Sequence, residues 1–211
     1  MLQEKSQKII KLSLFCILAA IMNILFSNFV FNFLKFPLYV DTVFSAAITF
    51  AFGLIPGLAT AILSWLIPTI YYSSYGYSFY VLCSIAEVLI ICALKPSHEV
   101  HQGREDKEKM AAAYASLAAR LMVMYILCAA AISTLGGIIN YVSDILLESP
   151  LPFYSVEDTF KLSLLTSNLP ILAVNILSRI QVNIVDRFIV IFGGYFISRG
   201  LKKLVQIWTE S

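Results

Sequence analysis

The sequence is that of an integral membrane protein and not of a soluble domain. Its 211 residues are 59% hydrophobic and only 13% charged, whereas soluble domains carry about 25% charged residues. The formal net charge is +2, and no basic tract resembles a nucleic-acid patch, so a nucleic-acid partner is not expected. The four cysteines lie in apolar runs without a CxxC pair, which predicts neither a disulfide framework nor a metal site.

In chain order, the apolar runs predict an all-α bundle of six transmembrane helices in a single domain, 1–211. About 20 apolar residues are enough to cross a bilayer. The predicted spans cover residues 9–34, 41–53, 56–71, 77–94, 117–142 and 183–204. A polar cytoplasmic loop occupies 95–116, and an outer link occupies 143–182. Within that link, an extra short helix at about 159–178 is expected on the outer face, without crossing.

Residues 41–71 decide the topology. The stretch is too long for one span, since tilt absorbs only a few extra residues, and it contains Gly53, Pro56 and Gly57. We expect two short helices with Pro56 as the first residue of the second, where its missing N–H costs nothing. Most of the 15 basic residues then fall on the cytoplasmic side. Both termini are therefore predicted to be cytoplasmic, in a multi-pass protein of the bacterial plasma membrane.

Polar side chains within the spans are the candidates for binding, because burying them in a membrane is costly. The substrate-binding candidates are Asn28, Asn32, Asp41, Tyr72, Tyr75, Tyr80, Glu87 and Asn140. The amides can instead hold helices together, and Asp41 can instead cap the helix that follows it. Asp186 and Arg187 are adjacent in the last span, where they form a structural ion pair, an interface anchor or a gate.

Small residues at four-residue spacing suggest close helix packing. Ala111, Ala115 and Ala119 lead into the fifth span, and Gly57 and Ala61 lie in the third. Such faces let helix backbones approach closely. They serve either internal packing or the docking of another membrane subunit.

No enzyme signature is present: the chain has no phosphate-binding loop, no HExxH and no GxSxG. We therefore expect neither catalysis nor a bound cofactor. If a nucleotide powers transport, the ATPase is another chain.

Two segments resemble a known family. "LYVDTVFSAAITFAFGLIPGLATAILSW" (38–65) is similar to the second and third helices of the substrate-binding S components of energy-coupling factor (ECF) transporters. "VNIVDRFIVIFGGYFISRGLKK" (182–203) is similar to their last helix. The resemblance implies a protein that captures a vitamin or similar micronutrient in its outer half, and a transmembrane coupling subunit with cytoplasmic ATPases as partners. It implies that the link 35–40 acts as a lid. The family's Ala-x-x-x-Ala on the first helix is not matched, since Ala19 and Ala20 are adjacent.

Two other functions stay open at this point. A membrane sensor or anchor would signal through a partner protein. A stand-alone ion-coupled transporter would use Glu87 as a proton carrier, although the inverted repeats expected of many such folds are not visible.

Overall fold

The computed structural model describes residues 2–72, 76–95, 107–146 and 156–210, and this part of the chain is helical without a strand. The helices are α1 (Leu2–Asn28), α2 (Val43–Phe52), α3 (Leu54–Tyr72), α4 (Val81–Leu94), α5 (Lys107–Leu146), α6 (Val156–Leu165), α7 (Ile171–Phe188) and α8 (Gly194–Glu210). A π-helical turn, Phe29–Phe33, extends α1, and another, Ile189–Gly193, joins α7 to α8. A 3₁₀ helix, Gly76–Tyr80, leads into α4. The expected all-α class is confirmed.

In the described part of the chain, four helical segments are long and apolar enough to cross a membrane: Ile9–Phe33, Leu54–Tyr71, Lys109–Ser143 and Ile171–Leu204. Val43–Phe52 and Ser78–Leu94 are shorter apolar helices. Large apolar side chains cover the outside, with Ile55, Ile70 and Phe196 all exposed. These features fit a multi-pass membrane protein. A crossing by each of six helices remains a proposal.

The helix is interrupted at Gly53, between α2 and α3. Its φ of 95° is a conformation that glycine adopts readily and other residues rarely do. The long stretch is therefore two helices, as its glycines and proline indicate. The second begins at Leu54, so the expectation that Pro56 is its first residue is wrong. Pro56 still lies in the first turn, where backbone N–H groups have no partner inside the helix.

Small residues bring α3 close to its neighbours. A Cβ atom on Gly57 would meet the side chain of Thr49 on α2 and would lie 3.1 Å from Val88 Cγ1 on α4. Ala61, one turn later, is fully buried. For these two residues the structure favours the alternative of internal packing.

Asn23 fixes α1 against α2 and α3. Its Nδ2 donates to Ser45 Oγ at 2.8 Å and to Ser64 Oγ at 3.0 Å. Its Oδ1 accepts from the backbone N–H of Phe44 at 2.8 Å. Phe44 is in the first turn of α2, so Asn23 satisfies a donor that the helix itself leaves open.

Side-chain hydrogen bonds also join the remaining helices. Trp65 on α3 donates to Ser84 on α4 at 2.8 Å. Asn183 on α7 donates to Ser133 on α5 at 3.0 Å. Lys95, the residue after α4, donates to Thr49 O at 3.4 Å. Thr49 is near the end of α2, just before the Gly53 turn.

The link predicted at 143–182 differs from expectation. The prediction of one short helix at 159–178 is wrong, because α6 ends at Leu165 and a turn follows at 166–168. Asn168 has a positive φ of 57°, and Pro170 disfavours a helical conformation for Leu169 before it. A new helix begins at Ile171 and continues through α8. Residues 171–182 therefore belong to the last long helix and not to the link.

Candidate functional site

The helix α7 turns a polar face toward the inside of the bundle. Its buried residues are Val174, Asn175, Ser178, Arg179, Val182, Asn183, Asp186 and Arg187. Asn175, Arg179 and Asn183 recur every four residues and so share one side of the helix. Most exposed positions between them are apolar, as at Leu177 and Ile180, and Gln181 is the polar exception. The polar face is thus internal, in a segment apolar enough to cross a membrane.

Arg187 gathers the buried charges. Its Nη1 donates to Glu87 Oε2 on α4 and, at 2.8 Å, to Thr42 Oγ1. Its Nη2 donates to Asp186 Oδ2 and, at 3.4 Å, to Asp41 Oδ1. We call these five residues the Arg187 cluster. It joins the start of α2 to the middle of α4 and to α7.

Asp41 does not cap α2. The residue before the helix is Thr42, which makes no side-chain capping bond. The carboxylate of Asp41 instead lies beside Arg187. The alternative of simple capping by Asp41 is therefore wrong. The hydroxyl of Thr42 accepts from Arg187 and leaves the N–H groups of α2 to other acceptors.

Asp186 also holds the link 35–40. Its Oδ1 accepts from the backbone N–H of Val40 at 2.7 Å. Val40 is buried and has a φ of 40°, an uncommon conformation for a β-branched residue. At the other end of the link, Lys35 has a φ of 57°. The backbone at both ends of the link is thus held in a conformation that surrounding contacts must maintain.

A second polar group, the Tyr80 cluster, consists of Tyr80, Asn140 and Arg179. Arg179 Nη2 donates to the Tyr80 hydroxyl at 2.8 Å, and that hydroxyl donates to Asn140 Oδ1. The guanidinium carbon lies 4.8 Å from the centre of the Tyr80 ring, within cation–π range. A Cβ atom on Gly136 would lie 2.6 Å from Arg179 Nη1, so glycine makes room for the guanidinium. The cluster combines a cation, a phenol and an amide.

An apolar cavity lies beside the link. Its volume is about 420 Å³, and ligand sites span about 300–1,000 Å³. It is lined by Phe26, Val30, Leu34, Phe36, Pro37, Leu38, Val40, Val185 and Ile189. Val40 is next to Asp41 in the chain, and Val185 is next to Asp186. The wall of the cavity therefore adjoins the Arg187 cluster.

The structure brings four of the expected substrate-binding residues into the two clusters. Asp41 and Glu87 contact Arg187, whereas Tyr80 and Asn140 contact each other. Asp186 and Arg187 do form an ion pair, which is part of the larger Arg187 cluster.

The other expected site residues lie elsewhere. Asn28 and Asn32 are exposed; Asn28 Nδ2 donates to Ile24 O at 2.9 Å, and Asn32 Nδ2 donates to Asn28 Oδ1 at 3.2 Å. They reach neither cluster. Tyr75 lies outside the described residues, as does the side chain of Tyr72. On α5, the side chains that the sequence suggests for docking are exposed, namely Ala111, Ala115 and Ala119.

Sequence reasoning did not place Arg179, Asn175 and Asn183 in the site. Their four-residue spacing was the available signal, and it predicts one helical face. The expected helix boundary between 178 and 183 divided that face in two. Asn23 is also fully buried, but its hydrogen bonds are structural. Among the described residues, no group of His, Cys, Asp and Glu side chains is arranged to hold a metal ion.

Comparison of the chain with family models, curated proteins and solved structures finds no match. The function is therefore inferred from the residues of the two clusters, the cavity and the exposed faces.

Proposed function

We propose that this protein is the substrate-capture subunit of an energy-coupling factor type ABC transporter. It binds a vitamin or similar small micronutrient on the outer side of the membrane. A transmembrane coupling subunit and cytoplasmic ATPases then complete uptake. The observation that carries the proposal is the polar inner face of α7, because polar side chains within a membrane segment are costly and mark binding sites or pathways.

The binding site combines apolar and polar surfaces. Small-molecule sites are mostly apolar, with a few polar groups that fix the orientation of the ligand. The cavity beside the link supplies the apolar surface. The Arg187 and Tyr80 clusters supply the polar groups. In addition, Asn175 Oδ1 is buried without a hydrogen-bond partner, which offers an acceptor to a bound molecule.

Substrate enters the cavity past the link 35–40. This link covers one side of the cavity and is fastened to α7 through Val40 and Asp186. Release of this hydrogen bond frees the link to move away from the cavity. This supports the role of the link as a lid.

The exposed alanines of α5 are the proposed contact with the coupling subunit. Ala111, Ala115 and Ala119 are at four-residue spacing on an exposed face. In membranes, small residues at this spacing allow two helices to pack closely. The face is near the N-terminal end of α5, which the topology proposal assigns to the cytoplasmic side.

Native mass spectrometry of protein purified from its own cells in a mild detergent tests the proposal. We expect a retained small molecule together with coupling-subunit and ATPase chains. Arg179→Met should lose the small molecule. Arg120→Met is the matched control, since Arg120 is exposed on α5, and it should retain the molecule.

Two results count against the proposal. The first is wild-type protein that carries neither a small molecule nor an ATPase. The second is substrate uptake that persists in cells without any coupling ATPase, which favours a stand-alone transporter. Size-exclusion profiles of the two arginine variants show whether each is folded.

A further inference from the structure

The Arg187 cluster contains more acids than bases. Three carboxylates, from Asp41, Glu87 and Asp186, face one guanidinium. If all are ionised, two negative charges remain in excess. Glu87 and Asp186 are fully buried, and an unbalanced charge away from water is so costly that a group usually becomes neutral instead.

The hydrogen bonds distinguish the three carboxylates. Both oxygens of Asp186 accept a bond, one from Val40 N–H and one from Arg187, and this stabilises the anion. The Asp41 side chain is 28% exposed, so its carboxylate is less deeply buried than the other two. Glu87 has neither advantage: its Oε2 accepts from Arg187, and its Oε1 is buried without a hydrogen-bond partner.

Three uncharged side chains also interact with Glu87, namely Thr42, Cys83 and Cys128. Thr42 at the start of α2 is neutral. Cys83 on α4 and Cys128 on α5 are thiols that lie close enough to interact with its charge. Within the described part of the chain, Arg187 is the cation that pairs with Glu87.

We propose that Glu87 carries a proton in this structure and that the Arg187 cluster is therefore a proton-binding site inside the bundle. The proton is on Oε1, the oxygen without a donor, and Oε2 continues to accept from Arg187. A buried hydroxyl without a partner costs far less than a buried anionic oxygen without one. When Glu87 loses the proton, the proton passes to bulk water by way of Asp41, the partly exposed member of the cluster, and Glu87 is left ionised.

Infrared spectroscopy of the protein in lipid vesicles at neutral pH tests this inference directly. A protonated carboxylic acid has a carbonyl band separate from that of a carboxylate. We expect this band in the wild-type protein. It should shift when the glutamate carboxyl carbons carry ¹³C and stay in place when the aspartate carboxyl carbons do. The other glutamates lie outside the predicted spans, and a glutamate in water has a pKa of about 4.3.

Substitution assigns the band to one residue. Glu87→Gln should abolish it. Glu108→Gln, which removes a glutamate at the polar start of α5, should leave it unchanged. If Glu87→Gln fails to fold, the isotope labels in the wild-type protein still separate glutamate from aspartate.

The proposal is overturned by any of three results: no such band at neutral pH, a band that shifts with labelled aspartate only, or a band that survives in folded Glu87→Gln. The measurement needs neither substrate nor partner subunits. Its outcome is therefore independent of the proposed function in transport.

Discussion

Asp186, in the middle of a long helix, accepts a hydrogen bond from the backbone N–H of Val40, 146 residues earlier in the chain, at 2.7 Å. The bond is buried and fastens the link 35–40 to α7. Because the other oxygen of Asp186 accepts from Arg187, the position of the link depends on the same charges that hold α4 and α2 together.

Asp186→Leu should free the link. The substitution removes the acceptor for Val40 N–H and puts an apolar side chain of similar length in its place. We expect faster amide hydrogen exchange across 35–40, whereas exchange in the core of α5 stays slow. Asn32→Leu is the control, because Asn32 is exposed on the π-helical turn that extends α1. It should leave hydrogen exchange in the link unchanged. Equal exchange rates in both variants would show that the bond does not hold the link.

Arg187→Met should strongly destabilise the protein. It leaves Asp41, Glu87 and Asp186 without their cation, and removing one partner of a buried ion pair costs about 3–5 kcal/mol. Reversible unfolding in mixed micelles measures the free energy of unfolding. Arg199→Met, an exposed arginine on α8, should change it by less than about 0.5 kcal/mol. A similar small change in Arg187→Met would mean that the cluster adds little stability.

Asn23→Leu and Asn28→Leu form a matched pair on α1. Asn23 is fully buried and forms hydrogen bonds with Phe44, Ser45 and Ser64. Its loss therefore leaves buried polar groups without partners. Each such group costs about 1–3 kcal/mol. Asn28 is exposed, and its loss should be close to neutral. The same unfolding assay tests both variants, and equal effects would contradict the structural role of Asn23.

Gly57→Ala and Gly200→Ala add the same methyl group at a tightly packed position and at an open one, respectively. A methyl group at Gly57 meets Thr49 and Val88, and overpacking of this kind costs about 1–3 kcal/mol. Among the described residues, nothing beyond the helix's own backbone and the two chain neighbours lies within 4 Å of the corresponding position at Gly200. Alanine there should stabilise the helix by up to about 1 kcal/mol. Thermal unfolding of the two variants should therefore shift in opposite directions. A stabilised Gly57→Ala would show that α3 packs less tightly than described.

The break at Gly53 could be predicted because two independent signals agree. A glycine and proline pair marks a turn, and the positions of the basic residues favour an even number of crossings there. The all-α class follows from the apolar runs alone. Both predictions rest on patterns that are local in the chain or summed over many residues.

The polar face of α7 could not be predicted in the same way. Arg179 and Asp186 look like interruptions in an apolar run when position along the chain is the only guide. They are buried against Tyr80 in the 3₁₀ helix, Glu87 on α4 and Asn140 on α5. Sequence spacing does not show which helices become neighbours. For the same reason Asn28 and Asn32, polar and four apart, looked like site residues and are exposed.

The inward polarity of α7 has a consequence for biogenesis. On insertion scales, each arginine or aspartate at the centre of a membrane helix costs about 2.5–3.5 kcal/mol, and α7 brings Arg179, Asp186 and Arg187. Alone, this helix is a poor substrate for the translocon. The partners of its charged side chains precede it in the chain and are synthesised first, namely Glu87 on α4, Tyr80 in the 3₁₀ helix, and Val40, Asp41 and Thr42 before α2. Insertion of α7 therefore depends on helices that are already in the bilayer, and it is also the step that completes both clusters.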